Sequence, residues 1–266
     1  MHIDLLFSPL EELRCNEIKN KTVIVIDVLR ACSTITYAFN GYNNEDISVL
    51  KGVKEIIPVK NIESALLLFN SLDDKSDYLL AGEINGFKPE GFHLGNSPKD
   101  YEVNKIFGKS LIFATTNGTK TLNIFKEANN LLIASFLNAF AVTLKLIALD
   151  KDVIIACSGT EDVCGLEDVT CGGLICSNIK DLSMEKNLKI NFSDSSIIAM
   201  KAYQSFGNVL DIFKQSTHGQ RLIKAGFEND LLPCSKINKF NIVPTYYNGK
   251  IIPELVKPVS FCSLYY

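Results

Sequence analysis

Residues 22–34 read TVIVIDVLRACST, and this stretch decides the fold class. Its first half is apolar, β-branched and continuous rather than alternating. That pattern marks a strand covered on both faces, as in a parallel sheet. The strand runs into Asp27, then Arg30, then Cys32, Ser33 and Thr34, where helical spacing begins. In open α/β sheets, ligands bind beyond the carboxyl ends of strands, so a carboxylate and a guanidinium at such an end are site candidates. The same arrangement recurs down the chain. Leu111–Thr115 leads into Thr116, Asn117, Gly118 and Thr119, and Asp152–Cys157 leads into Ser158 and Gly159. Leu131–Ala134 is a further buried run. Helical patterns separate them over 62–69, 120–128, 138–149, 167–179 and 194–205, with Asn61 as N-cap of the first. The alternation predicts an α/β fold, a layered, mostly parallel or mixed sheet flanked by helices. A soft boundary divides it into an N-terminal part, 1–145, and a C-terminal part, 146–266. Near the end, Asn248-Gly249 in YYNGKII predicts a hairpin. Residues 86–100, rich in Gly and Pro, predict a loop.

The chain has 266 residues, 47% apolar and 21% charged, with a formal net charge of −3. This composition excludes a disordered or coiled-coil chain. A mildly acidic protein is a poor binder of nucleic-acid backbones, so no nucleic-acid partner is expected. No apolar run approaches a membrane span, and no membrane partner is expected. The first residues, MHIDLLFSPLEELR, lack a basic start and a long apolar core. The expectation is therefore a cytoplasmic protein without an export signal. Eight cysteines are many for such a chain, but none has CxxC spacing. Reduced, mostly buried thiols are expected rather than disulfides or a zinc site.

Each strand end admits a chemical and a plain reading. Asp27 is a natural ligand for a hard cation, and Arg30 offers a fork matched to phosphate or sulfonate oxygens. The plain alternative is a local Asp27–Arg30 ion pair and a Ser cap. The hydroxyls and backbone N–H groups of 115–119 suit an anion at a helix start, yet the Walker spacing is absent. Glu167 and Asp168 open a helix, which suits its dipole or supplies further carboxylates. Glu83 follows an expected strand end in AGE, and Asn96 and Ser97 lie in the GNSP loop. His218 in STHG reads more readily as a capping or surface histidine than as a catalyst.

Taken together, IDVLRACSTI, AGE, GFHLGNSP, ATTNGT, CSG, LEDVTCGG and STHG, in this order, resemble the 2-phosphosulfolactate phosphatase family. The resemblance covers the chain from about Ile3 to Pro244. It departs from the family pattern at Cys32, where Thr or Ser is usual, and at Gly172, where Ala is usual. It implies an α/β fold of two parts with the active site between them. It also implies a Mg²⁺-dependent acid phosphatase that converts 2-phosphosulfolactate to sulfolactate and phosphate, a step of coenzyme M biosynthesis. The partner implied is a small polyanionic phosphate ester, and a homodimer is left open. On this reading Asp27, Glu83, Glu167 and Asp168 bind metal, and Asp27, Arg30 and Asp168 are catalytic. Arg30, Cys32, Ser33, Asn96, Ser97, Thr116, Asn117, Gly118, Thr119, Ser158 and Gly159 bind substrate. Neither a C-x₅-R loop nor a DxD motif is present, so direct attack by water is expected rather than a covalent phosphoenzyme. Two other classes stay open: a non-catalytic binder of small anions, and a Cys157-dependent acyl transferase.

Overall fold

The computed structural model describes residues 1–14, 18–116 and 118–256. Ten strands form one mixed sheet: β1 (His2–Leu6), β2 (Thr22–Ile26), β3 (Glu55–Pro58), β4 (Tyr78–Gly82), β5 (Ser110–Ala114), β6 (Asn130–Ala134), β7 (Val153–Cys157), β8 (Asn191–Phe192), β9 (Ile242–Tyr247) and β10 (Lys250–Leu255). The α-helices are α1 (Ala31–Asn40), α2 (Ile62–Asn70), α3 (Val103–Ile106), α4 (Gly118–Ile124), α5 (Ala139–Leu149), α6 (Leu166–Glu185), α7 (Asp194–Gln204), α8 (Val209–Gln215), α9 (Thr217–Lys224) and α10 (Leu231–Cys234). The expected strands appear within a residue or two of their predicted limits. The expected helices also form, but α4 ends at Ile124 and α6 continues to Glu185. The loop at 86–100 stays irregular apart from one short turn of 3₁₀ helix, Pro98–Asp100.

The strand order is β4-β5-β3-β10-β9-β6-β2-β7-β1-β8. Strands β4, β5 and β3 are mutually parallel, as are β6, β2, β7, β1 and β8. Between them, β9 and β10 pair antiparallel with each other and with their outer neighbours. Three antiparallel steps reverse direction, so the two parallel blocks run oppositely. Asn248 and Gly249 both have positive φ, as the two-residue β9–β10 turn requires. The predicted 145/146 boundary lies inside α5, and strands from both sides of it share the sheet.

Each central strand is covered on both faces, which accounts for the continuous apolar runs. Ile24 and Ile26 of β2, with Ile155 and Cys157 of β7, pack against α5, α6 and α8. The alternate residues Val23, Val25, Ile154 and Ala156 pack against α1, together with Leu111 and Phe113 of β5. Ile112 and Ala114, on the other face of β5, pack with Ala65 of α2. Helix α1 is thus enclosed by both blocks. Five inter-strand steps separate β5 from β2, and a twist of about 20–25° per step turns one block well away from the other. The carboxyl ends of oppositely running blocks thereby meet at one place.

Candidate active site

Asp27 directly follows β2 and is buried. Its Oδ1 accepts the Ala31 N–H of α1 at 3.2 Å. From the other block, Gly118 at the start of α4 comes so close that a Cβ there would stand 3.0 Å from Asp27 Oδ2. Burial, reinforced by Glu83 and Glu167, pushes the Asp27 carboxyl up to about 7.

Glu83 follows β4 and ties two loops together. Its Oε1 accepts the Thr116 N–H at 2.7 Å and its Oε2 the Gly86 N–H at 2.7 Å. Asp168, in the first turn of α6, does the same on the other block. It accepts Val28 N–H at 2.8 Å and Gly159 N–H at 2.9 Å, bridging the ends of β2 and β7. Glu167 is buried beside it, and its Oε2 has no hydrogen-bond partner. Burial raises both carboxyls above the ordinary range, and at Asp168 the charges of Glu167 and Asp27 raise it further. The four predicted carboxylates therefore belong to one region. Among the described residues, no three His, Cys, Asp or Glu side chains are arranged around one point as a metal cage. Two of the four already spend both oxygens on backbone N–H groups. Glu167, with an orphaned oxygen, and Asp27 are the carboxylates that fit a divalent cation, and Mg²⁺ typically takes only one or two from a protein.

Arg30 is almost fully buried. Its Nη1 is ion-paired with Asp230 at 2.6 Å, its Nη2 donates to Gly86 O at 2.5 Å, and the guanidinium stacks on Phe227 at 4.3 Å. Asp230 also accepts the Ser97 hydroxyl at 2.6 Å. The counter-ion of Arg30 is thus Asp230, from a distant segment, rather than Asp27.

A cavity of about 330 Å³ opens between these elements. Asp27, Arg30, Glu83, Asn96 and Thr116 line it, together with Thr160, Glu161, His218 and Arg221, which sequence reasoning did not place there. Asn96, whose Oδ1 has no partner, also lines a second cavity of about 690 Å³ with Ser97. His218 hydrogen-bonds through Nδ1 to the Thr160 hydroxyl. Burial, with Arg30 and Arg221 close by, lowers its ring to about 4, so it is neutral near pH 7. Its signal was the STHG motif, whose Ser216 caps α9 by accepting Gly219 N–H at 2.9 Å. Asp230 carried no local signal.

Other predicted contacts do not line this cavity. Cys32 is buried in α1, its Sγ accepting the Asp27 N–H at 3.2 Å, and Ser33 donates to Val28 O at 2.8 Å. The Thr119 hydroxyl donates to Thr115 O at 2.5 Å. Ser158 is buried with its hydroxyl unpartnered, and Gly159 serves Asp168. Asn117 lies outside the described residues, as do Cys15 and Cys262. The six described cysteines are free thiols, and all but Cys164 are buried. Burial holds the Cys32 and Cys157 thiols well above their ordinary range, hence protonated and unsuited to attack. Among the described residues, no helix is long and apolar enough to cross a membrane.

Comparisons with known proteins give the chain a family. A family model described as 2-phosphosulpholactate phosphatase matches residues 8–249. A Clostridium acetobutylicum protein is 34% identical over 252 residues, 95% of this chain and 100% of its own length. One from Carboxydothermus hydrogenoformans is 39% identical over 256 residues, covering 96% and 98%. One from Thermotoga maritima is 35% identical over 251 residues, covering 94% and 97%. All three bear the name probable 2-phosphosulfolactate phosphatase. With a match of this extent across both halves of the cavity, the chain belongs to the 2-phosphosulpholactate phosphatase family.

Proposed function

We propose that this protein is a phosphoric monoester hydrolase that uses Mg²⁺ to cleave 2-phosphosulfolactate, or a similar small anionic ester, into sulfolactate and phosphate. The observation that carries the reading is the acidic character of the cavity. Asp27 and Glu83 line it with no ion-pair partner among the described residues, whereas its two guanidinium groups are both matched, Arg30 by Asp230 and Arg221 by Glu161. A site that only bound anions would avoid carboxylates beside its ligand unless a cation intervened. That observation disfavours the non-catalytic binder.

Asp27 and Glu167 would hold the cation. When bound, Mg²⁺ offsets the charge on the phosphoryl oxygens and acidifies the attacking water. Phosphoryl transfer is chiefly positioning and charge stabilisation, and the chain's own groups serve both. Glu83 and Asp168 fix the strand-end loops through backbone N–H groups. Arg30, held by Asp230 and Gly86, offers its remaining N–H groups to phosphoryl oxygens without swinging away. Neutral His218, fixed by Thr160 through Nδ1, orients the ester or the water through its other ring nitrogen.

The test is release of inorganic phosphate from 2-phosphosulfolactate and from an aryl phosphate, with Mg²⁺ and with chelator. Release should require the cation. Asp27→Asn, with circular dichroism unchanged, should lower kcat/KM by about 100-fold or more. Full activity in that variant would overturn the assignment of Asp27. Calorimetric binding of the ester with no release under any cation would establish the binder instead.

A further inference from the structure

The cavity contains two guanidinium groups, and they differ in availability. Arg30 has a side chain only 2% exposed and a buried carboxylate, Asp230, as fixed partner. Arg221, on α9, has a side chain 51% exposed, and its partner Glu161 is 74% exposed. The pair is a fork: Nη1 to Oε1 at 3.1 Å and Nη2 to Oε2 at 3.3 Å. An exposed pair of this kind is weakly held and exchangeable.

Glu161 is not on a floppy segment. Thr160 N donates to Val163 O at 3.1 Å and Val163 N to Thr160 O at 3.0 Å, closing a two-residue turn. Glu161 and Asp162 at its tip both have left-handed φ, 55° and 63°, which non-glycine residues adopt at a cost. Lys120 of α4 holds Asp162 on the opposite side. The turn thus places the Glu161 carboxylate against Arg221 at the cavity wall, where the carboxylate occupies the donor face that another anion would use.

We propose that Arg221 is the specificity-determining cation of the cavity. It binds the carboxylate or sulfonate that a polyanionic phosphate ester carries besides its phosphate, and Glu161 occupies that position until the ester displaces it. This rests on the phosphate-ester reading above and assigns the non-reacting end of the substrate. A three-carbon ester fits within about 330 Å³ with its phosphate toward Arg30 and Asp27 and its second anion toward Arg221. The planar fork suits the oxygens of either group.

Steady-state kinetics on 2-phosphosulfolactate and on an aryl phosphate with no second anion test the assignment. Arg221→Gln should raise KM for the former about tenfold more than for the latter, collapsing the selectivity between them. Arg221→Lys should restore only part of it. Glu161→Gln should act oppositely, lowering KM for 2-phosphosulfolactate about 2–5-fold. Equal KM changes on both esters, or a higher KM in Glu161→Gln, would overturn the proposal. Calorimetry with sulfolactate separates this proposal from the phosphatase reading, because it needs no turnover. Affinity should fall in Arg221→Gln and rise in Glu161→Gln, even if no ester is hydrolysed. Unchanged affinity in both variants would refute the role of Arg221 whatever the catalytic result.

Discussion

Asp27 carries a proton up to about pH 7 because burial and two neighbouring carboxylates oppose its charge. In the unfolded chain it ionises near 3.8. Between those values the folded state binds more protons, so stability falls as pH rises through this window. Glu167 and Asp168 act in the same direction. His218 acts oppositely: its ring titrates near 4 when folded and near 6.5 when unfolded, so stability rises with pH between those values. Above pH 6.5 the histidine effect is complete and the carboxylate repulsion is unopposed. In chelator at pH 8, Asp27→Asn should therefore melt about 3 °C or more above the parent, a gain that vanishes near pH 4. Mg²⁺ should raise the parent's Tm at pH 8 and raise the variant's less. Identical melting of the two proteins at pH 8 in chelator would refute the repulsion. At this scale the sequence was legible where a residue follows a strand, as Asp27 and Glu83 do, or opens a helix, as Asp168 does: all three are brought to one region. It was not legible for Asp230, which pairs with Arg30 across 200 residues, because no local spacing encodes such a contact. His218 was hidden for a related reason. Its ring is half-buried in the cavity wall against Thr160 from a distant segment, and a motif alone does not reveal such a contact.

Helix α6 shows how an element aims its residues. Its first turn carries Glu167 and Asp168, and its depth against the sheet is set by the two glycines that follow. A Cβ on Gly173 would lie 2.0 Å from the Ala199 carbonyl oxygen of α7, a backbone contact that cannot rotate away. A Cβ on Gly172 would meet only side chains, Leu5 Cδ1 at 2.6 Å and Ile155 Cγ2 at 3.2 Å. Gly173→Ala should thus cost about 3 kcal/mol and roughly 6–12 °C in Tm, because α6 and α7 must separate. Gly172→Ala should cost clearly less, since methyl groups can shift. Thermal melts of both variants check this, and equal losses would show that the α6–α7 contact does not set the spacing. The elements themselves were legible because strands buried on both faces leave unbroken apolar runs. Their limits were less so. Phe125 is fully buried beyond the end of α4, so apolar spacing carried the predicted helix past its last turn. The start of α6 was read correctly, but its end was set too early: Leu182, buried three residues after Ile179, continues the apolar face within a stretch otherwise dominated by Lys, Asp, Ser and Glu.

The whole molecule is two parallel blocks joined by a narrow antiparallel seam, and the cavity takes walls from both. Asp27 and the Glu161 turn belong to the β6-β2-β7-β1-β8 block, and Glu83 and Thr116 to the β4-β5-β3 block. The seam contacts its neighbours sparingly. Strand β10 meets β3 at the single pair Ile251↔Ile56, and β9 meets β6 at Leu131↔Tyr246 and Leu132↔Thr245. Within the hairpin Pro244 faces Pro253, and neither can donate to an outer ladder, which limits how far the seam extends. This order of strands could not be read from the chain, because pairing of β10 with β3 joins Ile251 to Ile56, far apart in sequence and with no local spacing to encode it. It has a functional consequence: the seam holds the two walls at their spacing together with the bonds that cross the cavity, Arg30 to Gly86 and Ser97 to Asp230. Ile251 is fully buried there, beside α1 and both blocks. Ile251→Ala should cost about 2–4 kcal/mol, or roughly 5–15 °C in Tm. It should also raise KM several-fold, because the Glu83 and Thr116 wall is no longer held against Asp27. Ile179→Ala in α6, equally buried but remote from the seam, is the control. It should lose comparable stability while KM stays near the parent value. A KM that rises equally in both variants would mean that general loosening, and not the seam, sets the width of the cavity.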